Sequence, residues 1–479
     1  MKEKKIHKIV KKLTENKVIK IGSLSMIATI LIRAINLISV PIFSRLLSTS
    51  EYGQVDVFMT YVNIFMIILG LDFHAAVAKG RLDFENEADQ FVISSILFSS
   101  IFAIAAIAII NIFFKYVQFI FGLEQWMVNL MFLYSYSMYL ISYRAAEFNF
   151  YYQYRSNMKM NLSVALLNVM LSVVLIQTVF RDYRTIGRIF GAMIPTVICA
   201  IGIFFYYGNR GGWAFKLKYN AYSLKYSVPL IPHNLSHLIL GNADKVMINS
   251  MIGASESGIY SLAYTLGLMI QVVVEGMNQL FMPWLFRKLQ EEDYKSVKLV
   301  QRLFVLLFCI PTIAIMAVSP EILQLFGAKQ FWDGKAVIMW IVFATYVGFG
   351  YTIYVNIEFF YKTTGIISIG TIVAAVINIM LNMLFLRRFG YTFAAASTVL
   401  SYLSLFFLHM FIVNRVIKKD IVDNVFMLFQ LLGVTVVTFI LYYYLETIVI
   451  RMLVAIIAII LICFLWWIIY KKNREHIKL

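Results

Sequence analysis

The sequence predicts an all-α polytopic membrane protein of about fourteen transmembrane helices, two pseudo-symmetric six-helix lobes plus an extra C-terminal helix pair. Three observations predict it. Of 479 residues, 61% are hydrophobic and 14% charged, where soluble chains run nearer about 45–50% and about 25%. Mean hydropathy is +0.79, and apolar runs of membrane-spanning length recur along the whole chain. A short motif also returns 205 residues after its first appearance.

Residues 1–20 form a basic tail with eight Lys. No small-residue cleavage site closes the apolar run that follows, so it reads as a retained first span. The N-lobe, 21–207, holds spans 21–43, 53–73, 91–114, 126–145, 160–180 and 187–207. A basic linker, 208–225, leads to the C-lobe, 226–413, with spans 226–250, 258–281, 299–318, 336–359, 365–386 and 392–413. Residues 414–470 carry the extra pair, 425–444 and 449–470, before a tail at 471–479. The connectors are too short for a soluble catalytic domain.

Cation counts orient these spans. With the N-terminus inside, the segments on that side hold 30 Lys+Arg and those on the other side 10. That asymmetry predicts a multi-pass membrane protein with both termini cytoplasmic. The net charge of +17 then states orientation and does not call for nucleic acid. Arg181, Arg184 and Arg188 dissent in one external turn, either as a tolerated exception or as a basic collar at an outer mouth. Cys199, Cys309 and Cys463 lie in apolar runs without CxxC spacing, which predicts buried hydrophobes and neither a disulfide framework nor a metal site. No GxxxxGK[ST], GxSxG or HExxH occurs, which excludes the familiar nucleotide-driven pumps and hydrolases.

The repeat pairs Ser50-Glu51-Tyr52-Gly53 at the second span with Ser255-Glu256-Ser257-Gly258 at the eighth. Six spans separate the copies, so both enter the membrane from one side, as in a parallel repeat. Polar stripes at helical spacing mark faces turned away from lipid. They are Ser25, Thr29, Arg33 and Asn36; Asp56, Thr60, Asn63 and His74; His233, His237, Gly241 and Asp244; Tyr260, Tyr264, Gln271, Glu275 and Asn278; and Asn378 with Asn382. These predict a cavity between the lobes, lined by Arg33, Asn36, Asn63, His233, His237, Asp244, Lys245, Gln271, Asn378 and Asn382.

Arg33 lies near the middle of its span, where an Arg costs about 2.5–3.5 kcal/mol on insertion scales. Its forked guanidinium suits phosphate; the competing role is a partner for an inter-helix carboxylate. Asp244 and Lys245 project about 100° apart and cannot pair well with each other, so each needs a partner on another helix or faces the cavity. Glu275, Asp244 and Asp56 are the ion-coupling candidates, against purely structural pairing. Two His on one face, His233 and His237, without a third ligand read as hydrogen-bonded cavity residues rather than a metal site. Asp72, His74, Arg144, Glu147 and Glu358 fall at span ends and read as interfacial charges, with gating ion pairs as the alternative. Pro229 and Pro232 are hinge candidates. The last span, interrupted only by Arg451, reads as facing lipid on most sides.

The stretch Pro41-Ile-Phe-Ser-Arg45-Leu-Leu-Ser-Thr-Ser50-Glu-Tyr-Gly53 resembles the first external turn of Wzx-type polysaccharide flippases. Asn242-Ala-Asp244-Lys245-Val-Met-Ile248, with Gly253 and Ser257-Gly258-Ile-Tyr260-Ser261, is similar to their seventh-to-eighth span signature. The resemblance covers nearly the whole chain in span count and is specific at those two turns. It implies a member of the multidrug/oligosaccharidyl-lipid/polysaccharide exporter superfamily, not an enzyme. The implied activity is inversion of a polyprenyl-pyrophosphate-linked oligosaccharide from inner to outer leaflet, by alternating access. A proton or sodium gradient would drive it, with no other cofactor. The implied partners are the lipid-linked cargo, membrane lipid and other polysaccharide assembly proteins, with the chain itself a monomer. Tyr260 and Tyr264, or Tyr351 and Tyr354, are candidates for stacking on sugar rings. A membrane polymerase or ligase, which needs a long external catalytic loop, and a drug/cation antiporter, which usually keeps twelve spans, are the competing readings.

Overall fold

The computed structural model describes residues 34, 35 and 37–473, and every regular element among them is helical. Arg33 and Asn36, and with them most of the first span, lie outside the described residues. In chain order the helices are α1 (Leu37–Leu46), α2 (Thr49–Leu69), α3 (Val77–Asp83), α4 (Ala88–Ile112), α5 (Phe114–Phe121) and α6 (Gln125–Phe150). Then come α7 (Tyr154–Gln177), α8 (Arg184–Gly211), α9 (Leu217–Ser227), α10 (Ile231–Met251), α11 (Ala254–Gly267), α12 (Gln271–Gln290) and α13 (Tyr294–Ala317). The last are α14 (Ser319–Phe326), α15 (Lys335–Phe360), α16 (Thr364–Phe389), α17 (Thr392–Ile412), α18 (Asn424–Tyr443) and α19 (Ile448–Lys472).

Eleven segments among the described residues are long and apolar enough to cross a membrane. Two more expected spans, α6 and α10, are equally long but too polar for that count, α6 through its Tyr and Ser and α10 through His, Asn, Asp and Lys. The eighth span is broken: α11 and α12 are joined by a 3₁₀ turn, Leu268–Ile270. Pro229 and Pro232 flank the start of the seventh span instead of bending its interior. A 3₁₀ turn, Val228–Leu230, precedes α10, and Pro232 is its second residue. A proline there gives up an N–H that has no helical partner in any case.

The chain separates into two compact units. In the first, which includes 58–235, the core is aromatic, with Phe91, Tyr139, Tyr143, Tyr207 and Tyr219 fully buried together. Beside it Arg81 and Arg144 both pair with Glu147, and the Tyr207 hydroxyl donates to the same carboxylate. Asp72 is also buried, accepting from Asn234 at 2.7 Å. The interfacial reading of Asp72, Glu147 and Glu358 is therefore corrected: all three are within 3% of full burial. A charge is buried only where partners replace its water, and for Glu147 those partners are Arg144, one turn before it on α6, and Arg81, which no helical spacing connects to it.

The second unit includes 40–57 and 236–473. Ser48 and Glu51 cap α2 reciprocally: the Ser48 N–H donates to Glu51 Oε2 at 2.7 Å and the Glu51 N–H to Ser48 Oγ at 3.2 Å. This capping box explains the Glu of the motif's first copy. Its Gly is explained by a close approach between α2 and α11. A Cβ on Gly53 would collide with the Ala254 carbonyl and lie 2.7 Å from Gly258 N; one on Gly258 would collide with the Thr49 carbonyl and lie 3.0 Å from Gly53 N. The contact is reciprocal, since Thr49 and Ala254 each stand four residues before the glycine of their own helix. A hydrogen bond between Thr49 Oγ1 and Ser255 Oγ, 2.8 Å, locks it.

Most α19 side chains are exposed, as a lipid-facing helix requires, but its Arg451 is not. Arg451, 2% exposed, forks onto Glu321 of α14 at 2.7 and 2.9 Å and also donates to the Ala317 carbonyl. It is a buried anchor for the last span, not a loop cation. The cysteine expectation holds for Cys309 alone, since Cys199 is half-buried and Cys463 is exposed on α19.

The glycine crossing predicts a cross-link. With Cys199, Cys309 and Cys463 replaced by Ser, the pair Thr49→Cys/Ser255→Cys will form a disulfide under mild oxidation. Adding Gly258→Val, which forces the two helix starts apart, will suppress it; equal yields with and without the valine would contradict the crossing.

Candidate functional site

The seventh-span signature supplies two adjacent charges, and α10 turns them toward different neighbours. Asp244, 1% exposed, is gripped by three neutral donors. The Tyr260 hydroxyl of α11 donates to Oδ2 at 2.8 Å and the Thr398 hydroxyl of α17 to the same oxygen at 2.7 Å. Asn382 Nδ2 of α16 donates to Oδ1 at 2.6 Å. Behind them, Asn378 lies one helical turn from Asn382 and donates to Ser397 Oγ at 3.3 Å, and Ser397 Oγ is 2.8 Å from Asn382 Oδ1. Four helices thus meet at one carboxylate.

Lys245, 7% exposed, points away from this cluster. Its Nζ lies 2.8 Å from Asp56 Oδ2 of α2 and 5.1 Å from the centre of the Tyr264 ring. Ser257 Oγ, in the second copy of the repeated motif, donates to the Lys245 carbonyl at 2.9 Å. The sequence expectation that Asp244 and Lys245 would each find a partner on another helix holds for both. Lys245 and Asp56 balance each other, and among the described residues the side chains that bind Asp244 are neutral donors. A carboxylate desolvated in this way is costly unless every lone pair is used, and it is the group in this cluster best suited to receive an arriving proton or cation.

A cavity of about 80 Å³ adjoins the cluster, sharing Tyr264 and Thr398 with it and lined also by His237, Gln271, Tyr351 and Tyr402. Glu275 lies one turn beyond Gln271 on α12, half-buried. The second unit therefore brings together Asp56, Asp244, Lys245, Asn378 and Asn382, with His237 and Gln271 on the neighbouring cavity. Asn63 and His233 belong to the first unit.

The aromatic candidates are corrected. Tyr260 and Tyr354 are fully buried, with their hydroxyls given to Asp244 and Asn424. Tyr264 is 6% exposed and packs on Tyr260, and Tyr351 stacks on Tyr402 with ring centres 5.9 Å apart. Tyr260 and Tyr354 thus serve internal packing and hydrogen bonding, while Tyr264 and Tyr351 also line the cavity. Thr398 and Ser397 escaped the sequence reading, although the spacing of Ser397, Thr398, Ser401 and Ser404 is itself a helical polar stripe.

Several known proteins resemble the chain. Residues 18–290 match the profile of a family described as polysaccharide biosynthesis protein. A protein of the Lsg locus of Haemophilus influenzae is 20% identical over 377 residues, covering 76% of this chain and 90% of that protein. Among solved structures, the lipid II flippase MurJ in an inward closed conformation superposes with a TM-score of 0.67 at 16% identity, over 95% of this chain and 100% of that one. An inward-facing multidrug resistance MATE family transporter of the MOP superfamily gives 0.59 at 14% identity, over 81% and 95%. At these identities the likeness to solved structures shows the fold.

The donor set around Asp244 predicts an order of stabilities. Asp244→Ala strands three buried donors and will lower unfolding stability by about 2–3 kcal/mol. Asp244→Asn keeps one acceptor oxygen and will lose clearly less. Thermal unfolding of purified variants in detergent measures this, and equal losses would show that the donors do not depend on the carboxylate.

Proposed function

Because the chain belongs to the polysaccharide biosynthesis protein family, we propose that it moves a polyprenyl-pyrophosphate-linked oligosaccharide from the inner to the outer leaflet of the bacterial cytoplasmic membrane, for assembly of a surface polysaccharide. The observation that carries this reading is the family match over residues 18–290 on a multi-pass fold similar to a lipid II flippase. A glycan with a pyrophosphate cannot cross hydrocarbon unaided. The lipid-linked cargo is favoured over a small drug by the extent of the fold match: the MurJ structure spans 95% of the chain and the multidrug transporter 81%. The difference leaves room for the added pair, α18 and α19. The short connectors tell against an external polymerase or ligase site.

In this proposal both termini are cytoplasmic, following the 30-to-10 distribution of Lys and Arg, which puts the Gly53–Gly258 crossing at the outer end. Alternating access requires that contact to part when cargo leaves. Asp244 is the coupling group, neutralised by a proton or a sodium ion. Arg33, outside the described residues, is the proposed pyrophosphate contact. The protein works as a monomer beside other polysaccharide assembly proteins.

Reconstituted protein will invert labelled lipid-linked oligosaccharide in liposomes. Arg33→Ala will abolish this, and Arg33→Lys will retain part, since one ammonium replaces the charge but not the fork. Wild-type rates equal to protein-free liposomes would reject the function; full transport by Arg33→Ala would reject the pyrophosphate contact.

A further inference from the structure

A second buried acid in the same unit has no part in the Asp244 cluster. Glu358, near the end of α15, and His409, in the last turn of α17, are each 0% exposed. Glu358 Oε1 lies 2.8 Å from His409 Nδ1. Glu358 Oε2 and His409 Nε2 are buried without a hydrogen-bond partner. Among the described residues no other charged side chain pairs with either.

The groups that the structure shows against the imidazole are neutral. From α15, the Tyr351 ring stacks on the imidazole with centres 5.9 Å apart. From α16, Gly370 faces the ring, and a Cβ there would lie 3.2 Å from Nε2. Nearby polar groups are engaged elsewhere: Tyr354 donates to Asn424 of α18, and Asn356 donates to Asn278 of α12.

These facts constrain the protons. The 2.8 Å contact needs one proton between Oε1 and Nδ1. With that proton alone, a neutral ring faces a carboxylate and the pair carries a full negative charge with nothing to balance it. One more proton, on Nε2, makes an imidazolium–carboxylate pair of zero net charge. Burial penalises the first state far more than the second.

We infer that the Glu358–His409 pair is a proton-binding site, in which His409 Nε2 takes one proton from water when the pair is wetted and keeps it when the pair is buried. The only bond made is N–H, and release returns the proton to water. Glu358 is a positioning residue that holds the ring and supplies the compensating charge. The cavity of about 80 Å³ is walled by Tyr351, which stacks on His409, by Tyr402, which stacks on Tyr351, and by Tyr264 and Thr398 on the Asp244 side. It has room for a few waters, and its walls include one residue that packs on His409, Tyr351, and one that binds Asp244, Thr398. The consequence for transport, that this proton moves with the opening and closing of the second unit, rests on the flippase reading. The binding itself does not.

The test uses the full chain in lipid nanodiscs with ¹³C-labelled histidine. The chain has six His, and His409→Gln identifies the relevant ring signal. That signal, followed from about pH 5 to about pH 8, is expected to report the proton on Nε2, and Glu358→Gln to weaken proton binding at the ring by about tenfold or more. Gly370→Ala, which presses on Nε2, should perturb the same signal if Glu358→Gln does not fold. A ring signal constant across the range in folded wild type, or one titrating identically in folded Glu358→Gln, would overturn the site. In liposomes carrying lipid-linked oligosaccharide, Glu358→Gln should flatten the pH dependence of inversion. A wild type that moves no such lipid while the ring still titrates refutes the flippase reading alone; a wild type that moves it while the ring does not titrate refutes this inference alone.

Discussion

The second unit is organised around a buried carboxylate that, among the described residues, is held by neutral donors. Asp244 is desolvated and held by Tyr260, Thr398 and Asn382, so α10 is tied at one atom group to α11, α17 and α16. One position further, Lys245 ties the same helix to α2 through Asp56. The turn of about 100° between neighbours lets two consecutive residues bind opposite sides of their surroundings. Ions buried in this way are held by fixed dipoles or by each other, and both solutions occur side by side. The pair is self-compensated and resists change, whereas the lone acid responds to whatever charge reaches it.

The approach of α2 and α11 follows the same economy of space. Glycines at Gly53 and Gly258 bring the two helix starts into backbone contact, and the Glu of the first motif caps its own helix. A repeated four-residue motif therefore encodes a contact between its own two copies. Arg451 shows the converse in a largely exposed helix, where one buried guanidinium on Glu321 fixes the start of the segment.

Much of this was legible in the sequence because lipid enforces it. A span must be about 20 residues long and apolar, so helix positions followed from hydropathy, and polar stripes identified Asp244, Lys245, Asn378 and Asn382 as turned inward. What could not be read is pairing between residues distant in the chain. Glu147 looked interfacial because Arg81, which lies 66 positions before it, gives no spacing signal. His409 stands alone in an apolar run, and 51 positions separate it from the glutamate it meets, so no spacing signals their pairing. The aromatic candidates failed for a related reason: a tyrosine on a polar face is as well placed to donate to a neighbouring acid as to meet a sugar, and Tyr260 does the former. The break in the eighth span carries no proline and follows from packing, with Gly267 set close against Ile341 of α15.

The central claim is that Asp244 converts an ion gradient into movement of a lipid-linked glycan. The direct measurement compares wild type and Asp244→Asn in liposomes, recording inversion of labelled lipid-linked oligosaccharide with and without an imposed proton or sodium gradient. The account predicts that a gradient of one of these ions accelerates the wild type, while the variant binds cargo but proceeds at a rate indifferent to both. A variant that responds to the gradient as strongly as the wild type would contradict it.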